Sequence, residues 1–151
     1  MTYNLTPFLA QTPCFSRKAL VAYLKRSPQT TKPDTAATSI IRGQKRKGPE
    51  VRLFEEVCQD TYVNTEALRD PTAIDWLPYL LPQVAAEDAV IGFHAALCLL
   101  QGRPAPDEIQ FYSKSKARWE WHGKTFEAVV STHRPGPQPK DGIPEWKIVA
   151  V

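Results

Sequence analysis

A chain of 151 residues, 42% hydrophobic, has room for one ordinary domain or two small ones with cores of their own. No apolar run approaches the length of a bilayer span, and no basic-then-apolar signal segment opens the chain. Three widely spaced cysteines (Cys14, Cys58, Cys98) build no disulfide framework, so the expected setting is a reducing cytoplasm without membrane contact. The net charge of +3 is unevenly spread: residues 1–52 hold ten Lys/Arg against Asp34 and Glu50, a local +8. Residues 53–107 hold two bases against nine acids, a local −7, and residues 108–151 return to +2. A basic first third ahead of an acidic middle points to a polyanion-binding module joined to a second part.

In chain order, Leu5, Phe8 and Leu9 suit a short helix begun by Thr6-Pro7. Ser16 reads as an N-cap behind apolar Phe15, and Arg17 to Lys25 carries Leu20, Val21 and Leu24 at helical spacing. Ser27-Pro28-Gln29-Thr30-Thr31 is a turn into the stretch around which the chain is organised, Pro33 to Lys47. Pro33 suits a first helical turn, and Asp34 complements the positive end of the helix dipole. Ala37, Ile40, Ile41 and Gln44 follow the spacing of a buried stripe. Thr35, Thr38, Ser39, Arg42, Lys45 and Arg46 fall largely on the other side, where hydroxyls meet base edges and cations meet phosphates. Gly48-Pro49 ends the helix at its basic end. Val51, Leu53 and Val57, then Tyr62 and Val63, form two short β-prone runs parted by Cys58-Gln59-Asp60. Helix, turn, helix and ribbon is the order of a winged helix-turn-helix, whose second helix enters the major groove. Glu55 and Glu56 argue against phosphate contact by the ribbon. Arg42, Lys45, Arg46, Lys47 and Arg52 are therefore expected to carry the electrostatics, with Thr35, Thr38 and Ser39 toward the bases.

Beyond a boundary at residues 66 and 67, Asp70 as N-cap and Pro71 begin another helix. Its stripe is Ile74, Leu77, Leu80 and Leu81, and Pro78 is expected to kink or shorten it. Gln83 to Ala89 reads as a loop. Val90-Ile91 leads into Gly92 to Leu100, whose hydrophobicity on all sides marks a buried helix ended by Gly102 and Pro104. Alternation at Ile109 and Phe111, Trp119 and Trp121, then Phe126, Ala128 and Val130 predicts a three-stranded antiparallel sheet. Its turns fall at Lys114-Ser115-Lys116 and His122-Gly123-Lys124. The proline-rich run Arg134 to Pro144 is no core element, and Trp146 to Val151 suits one last strand. The fold class is α+β: a winged helix-turn-helix over residues 1–66, then a small helical plus antiparallel-sheet domain over 67–151.

The order Arg52, Leu53, Val57 with Tyr62-Val63, then Asp70-Pro71 and Ile74, then Phe93-His94-Ala95-Ala96-Leu97 resembles AbiEi-type antitoxins, regulators of type IV toxin–antitoxin systems. The similarity spans about residues 12–132. It implies a winged helix-turn-helix that represses its own operon by binding promoter or operator DNA, with self-association there. It also implies a following domain that counters a nucleotidyltransferase-like toxin without touching it. Two positions depart from the family: Asp60-Thr61 precedes Tyr62 where a Gly-Leu/Val-Tyr turn is usual, and Gln101-Gly102 stands in place of His-Gly. Against the family's length, the second domain reads as incomplete at its C-terminal end.

Other chemistry has thinner support. His94 and Cys98 lie four apart on one helix face, but a structural zinc site needs two further ligands and no C-x-x-C pair supplies them. Pro106-Asp107 and Glu145-Trp146-Lys147 superficially match the pattern of metal-dependent nucleases, across a long gap. No phosphate-binding glycine loop, nucleophile elbow or H-E-x-x-H is present. The expectation is a non-enzymatic DNA-binding regulator with no cofactor and no metal. The alternatives are a protein-interaction module that does not bind DNA, or a metal-dependent nuclease.

Overall fold

The computed structural model describes residues 4–26, 31–86 and 88–130. The turn at 27–30, the proline-rich run and the expected last strand lie outside the described residues. Within them the protein is α+β, with five α-helices and two sheets. The chain divides into two compact units, Met1–Pro71 and Thr72–Val151. No helix among the described residues is long and apolar enough to cross a membrane.

The first unit runs α1 (Thr6–Gln11), β1 (Cys14–Ser16), α2 (Arg17–Lys25), α3 (Pro33–Arg46), β2 (Phe54–Cys58) and β3 (Thr61–Asn64). Ser16 ends β1 and also caps α2, its hydroxyl accepting from the Ala19 amide at 3.2 Å. The expected two-stranded ribbon is the larger part of a three-stranded sheet in the order β1-β3-β2, with Phe15 paired to Tyr62 and Glu56 to Tyr62 on the other side. β1 is too short for a period-two pattern to reveal it. Val51, expected in a strand, lies in a short 3-10 turn (Pro49–Val51), and Leu53 just precedes β2; both are exposed. Cys58 belongs to the strand, leaving Gln59-Asp60 as the turn, with Asp60 at φ 57°. Rings of Phe8, Phe15, Phe54 and Tyr62 meet at centroid distances of 4.9–5.6 Å, and Leu20, Leu24, Ala36, Ala37 and Ile41 complete the core beneath α2 and α3. Burial pushes the Cys14 thiol up to about 12, so it is a packing group rather than a nucleophile.

The second unit contains α4 (Ala73–Ala85), β4 (Val90–Ile91), α5 (Phe93–Leu100), β5 (Glu108–Ser113), β6 (Arg118–Trp121) and β7 (Lys124–Val130). Several expectations are corrected here, among them the loop from Gln83, since Gln83 to Ala85 belong to α4. α4 starts at Ala73 with Thr72 as its cap, so Asp70-Pro71 precede the helix. Pro78 does not shorten it: α4 continues through both Pro78 and Pro82, whose buried rings join Leu77, Tyr79 and Leu81 on the packed side. Ile74, expected in the buried stripe, is exposed. α5 is not buried all round, since Phe93 and Leu97 are 42% and 43% exposed. Val90-Ile91 is a strand of its own. The sheet is mixed and four-stranded in the order β4-β5-β7-β6, with β5 parallel to β7. The segment after β5 is therefore no hairpin. β6 and β7 do form one around His122-Gly123, at φ 49° and 77°, the two positive angles that a tight two-residue hairpin turn needs. Trp119 stacks on its cross-strand partner Phe126 at 5.0 Å.

Candidate nucleic-acid interface

α3 packs Ala36, Ala37, Ile41 and Gln44 inward and turns Thr35, Ser39, Arg42, Lys45 and Arg46 to solvent. Its sidedness follows from spacing: Ala37, Ile41 and Gln44 share one stripe at intervals of four, three and seven, with Ala36 beside it. Gln44 is 7% exposed, and its side-chain oxygen accepts the Leu53 amide at 2.8 Å, which ties the helix to the lead-in of β2.

Both ends of α3 are held by arginines from flanking segments. At the front, Nη2 of Arg17 donates to the Asp34 carbonyl at 3.1 Å and to the Thr38 hydroxyl at 2.9 Å. The Thr38 hydroxyl in turn donates to the Asp34 carbonyl at 3.1 Å. The Arg17 amide also donates to the Asp60 carbonyl at 2.9 Å, so one residue joins α2, α3 and the turn of the ribbon. At the rear, Nε of Arg52 donates to the carbonyls of Gln44 (3.1 Å) and Lys47 (2.9 Å), and Nη2 to that of Lys45 (3.0 Å). The Lys45 and Lys47 carbonyls are acceptors of the kind a helix C-terminus leaves without partners, that of Gln44 also accepts the Lys47 amide at 3.1 Å, and a cation there complements the dipole.

The eight residues expected at a DNA surface therefore separate by role. Thr35, Ser39, Arg42, Lys45, Arg46 and Lys47 are exposed. The side chains of Arg42, Arg46 and Lys47 make no ion pair or hydrogen bond among the described residues, while Lys45 Nζ lies 3.5 Å from Glu56 Oε1 of β2. Thr38 and Arg52 are half-buried and spent on framework contacts, so neither is presented as the sequence suggested. Arg17 went unnoticed at the sequence level, because nothing in spacing ties an N-terminal residue of one helix to the first turn of the next. The ribbon beside α3 is acidic at Glu55, Glu56 and Asp60. Its effect is visible at Tyr62, whose phenol is pushed up to about 12, first by burial and then by the Glu56 and Asp60 charges.

Gly43 stands inside α3, three residues before Arg46 and four from both Ser39 and Lys47. A Cβ built there meets no described atom within 4 Å, and its φ is not positive. Among the described residues neither packing nor backbone conformation calls for glycine, which costs a helix interior roughly 1 kcal/mol against alanine.

Other chemistry gathers less. Cys98 Sγ lies 3.7 Å from His94 Nε2, and no group of three or more His, Cys, Asp or Glu among the described residues is arranged to hold a metal. The Asp107 carboxylate faces Lys124 Nζ at 3.8 Å; that buried ammonium also donates to the carbonyls of Ala105 (2.9 Å) and Pro106 (3.2 Å). Glu145 and Lys147 lie outside the described residues. No family model, curated protein or solved structure matches the chain.

Proposed function

We propose that the protein is a DNA-binding transcriptional regulator of the AbiEi antitoxin type, with α3 as its reading helix. The observation that carries this reading is the solvent face of α3. The side chains of Arg42, Arg46 and the capping Lys47 are exposed there and make no ion pair or hydrogen bond among the described residues, on a helix clamped at both ends by Arg17 and Arg52. A fixed rod with free cations suits insertion against phosphates, because little ordering remains to be done on binding. Support for a winged helix-turn-helix comes from the element order α1-β1-α2-α3-β2-β3 and the strand order β1-β3-β2. Thr35 and Ser39, exposed in the leading half of α3, are the residues proposed to face bases. Thr38 contributes by anchoring Arg17. The acids of β2 keep the ribbon off the phosphates on the side of Lys45.

The resemblance to antitoxins extends the proposal to repression of the protein's own operon and neutralisation of a nucleotidyltransferase-like toxin in the cytoplasm without direct contact. A second reading, an interaction module in residues 72–130, is favoured by one observation, the exposed Phe93 and Leu97 one turn apart on α5. A mobility shift with the DNA upstream of its own gene separates the two. The regulator reading expects a shift at near-physiological salt, weakened by one to two orders of magnitude (an order-of-magnitude expectation) when Arg42, Lys45 and Arg46 are all changed to Gln. A wild-type chain that gives no shift overturns it.

A further inference from the structure

Gly43 is the residue of α3 that neither the fold nor the cationic face accounts for. Glycine is used where a backbone must approach a partner more closely than a side chain allows. Among the described residues there is no such partner, since a Cβ at Gly43 meets nothing within 4 Å beyond its own stretch of helix backbone. The flank of α3 at Gly43 is therefore open to a partner from outside the chain. Its neighbours one turn away are Ser39, Arg46 and Lys47, all exposed, and Arg42 adjoins it in sequence. The ligand chemistry that this surround fits is a polyanion with hydrogen-bonding edges.

Resting on the DNA-binding reading above, we propose that Gly43 is the point where the backbone of α3 lies against the wall of the major groove. It sets the depth to which the helix enters. A methyl at Gly43 would hold the helix away from the duplex and lengthen the contacts of Ser39, Arg42 and Arg46 together. Because no charge is lost, such a change weakens binding without altering how many counterions are released.

The experiment pairs thermal unfolding with binding, for the full chain and its Gly43→Ala and Gly43→Gln variants. The DNA probes are the duplex upstream of the protein's own gene and a shuffled duplex of equal composition. Both variants suit a helix better than glycine, so Tm rises, by roughly 2–6 °C for Gly43→Ala. Affinity for the upstream duplex falls about tenfold for Gly43→Ala and further for Gly43→Gln, and its preference over the shuffled duplex shrinks. The salt slope stays that of the wild type. A variant that gains Tm and binds as tightly as the wild type overturns the proposal while leaving the DNA-binding reading intact. A fall in Tm overturns it too, because the glycine would then serve the fold. A wild-type chain that shifts neither duplex overturns both.

Discussion

α3 and α5 each leave a face to solvent, and the two faces are chemically opposite. α3 presents Thr35, Ser39, Arg42 and Arg46, while α5 presents Phe93 and Leu97, with Phe93 stacked on Tyr112 at 5.1 Å. Solvated cations cost the fold almost nothing and act over a Debye length of about 8 Å at physiological salt. Exposed apolar side chains act only on contact, at about 25 cal/mol per Å² covered. The contrast separates a surface suited to attract a polyanion from afar from one that rewards only a fitted neighbour. It also shows that an arginine's charge says little of its work: Arg52 and Arg46 are six residues apart in sequence, one clamping carbonyls and the other free.

The contrast breaks most completely at the platform under α3. Phe15 is 1% exposed and its ring meets those of Phe8, Phe54 and Tyr62. Phe15→Ala should cost about 3–5 kcal/mol in chemical denaturation and abolish any DNA binding with it. A smaller loss is expected at the rear clamp: Arg52→Ala should cost about 1–2 kcal/mol, since the Lys45 and Lys47 carbonyls lose their partner while that of Gln44 keeps the Lys47 amide. Arg52→Lys should recover only part of it, since a single ammonium cannot reproduce the fork. Smallest is the effect at α5. Leu97→Gln should leave stability within about 0.5 kcal/mol and DNA affinity unchanged, and a loss of affinity there would shift the interface to the second unit.

Much of this was legible in the residues themselves. Ser16 as the cap of α2, Pro33 as the start of α3 and the Ala37, Ile41 and Gln44 stripe are consequences of local chemistry and of a period that a single sequence displays. What stayed hidden was tertiary. β1 has three residues and owes its existence to pairing with β3. The parallel register of β5 with β7 depends on β7 entering between β5 and β6, which alternation cannot reveal. α4 runs on through Pro78 and Pro82 because burial of those rings offsets the ladder bonds they cannot make. At the candidate site, exposure was read correctly for six of the eight residues. Thr38 and Arg52 differ because their partners, Arg17 and the carbonyls ending α3, are set by packing between elements.

The central claim is that free cations on a pinned α3 meet phosphates, and the salt dependence of binding to the upstream duplex tests it most directly. Three free cations (Arg42, Arg46, Lys47) predict a slope of log affinity against log salt of about −2 to −3, reduced by about one for each cation removed. A flat dependence, or a slope unchanged when Arg42 and Arg46 are replaced by Gln, would contradict it.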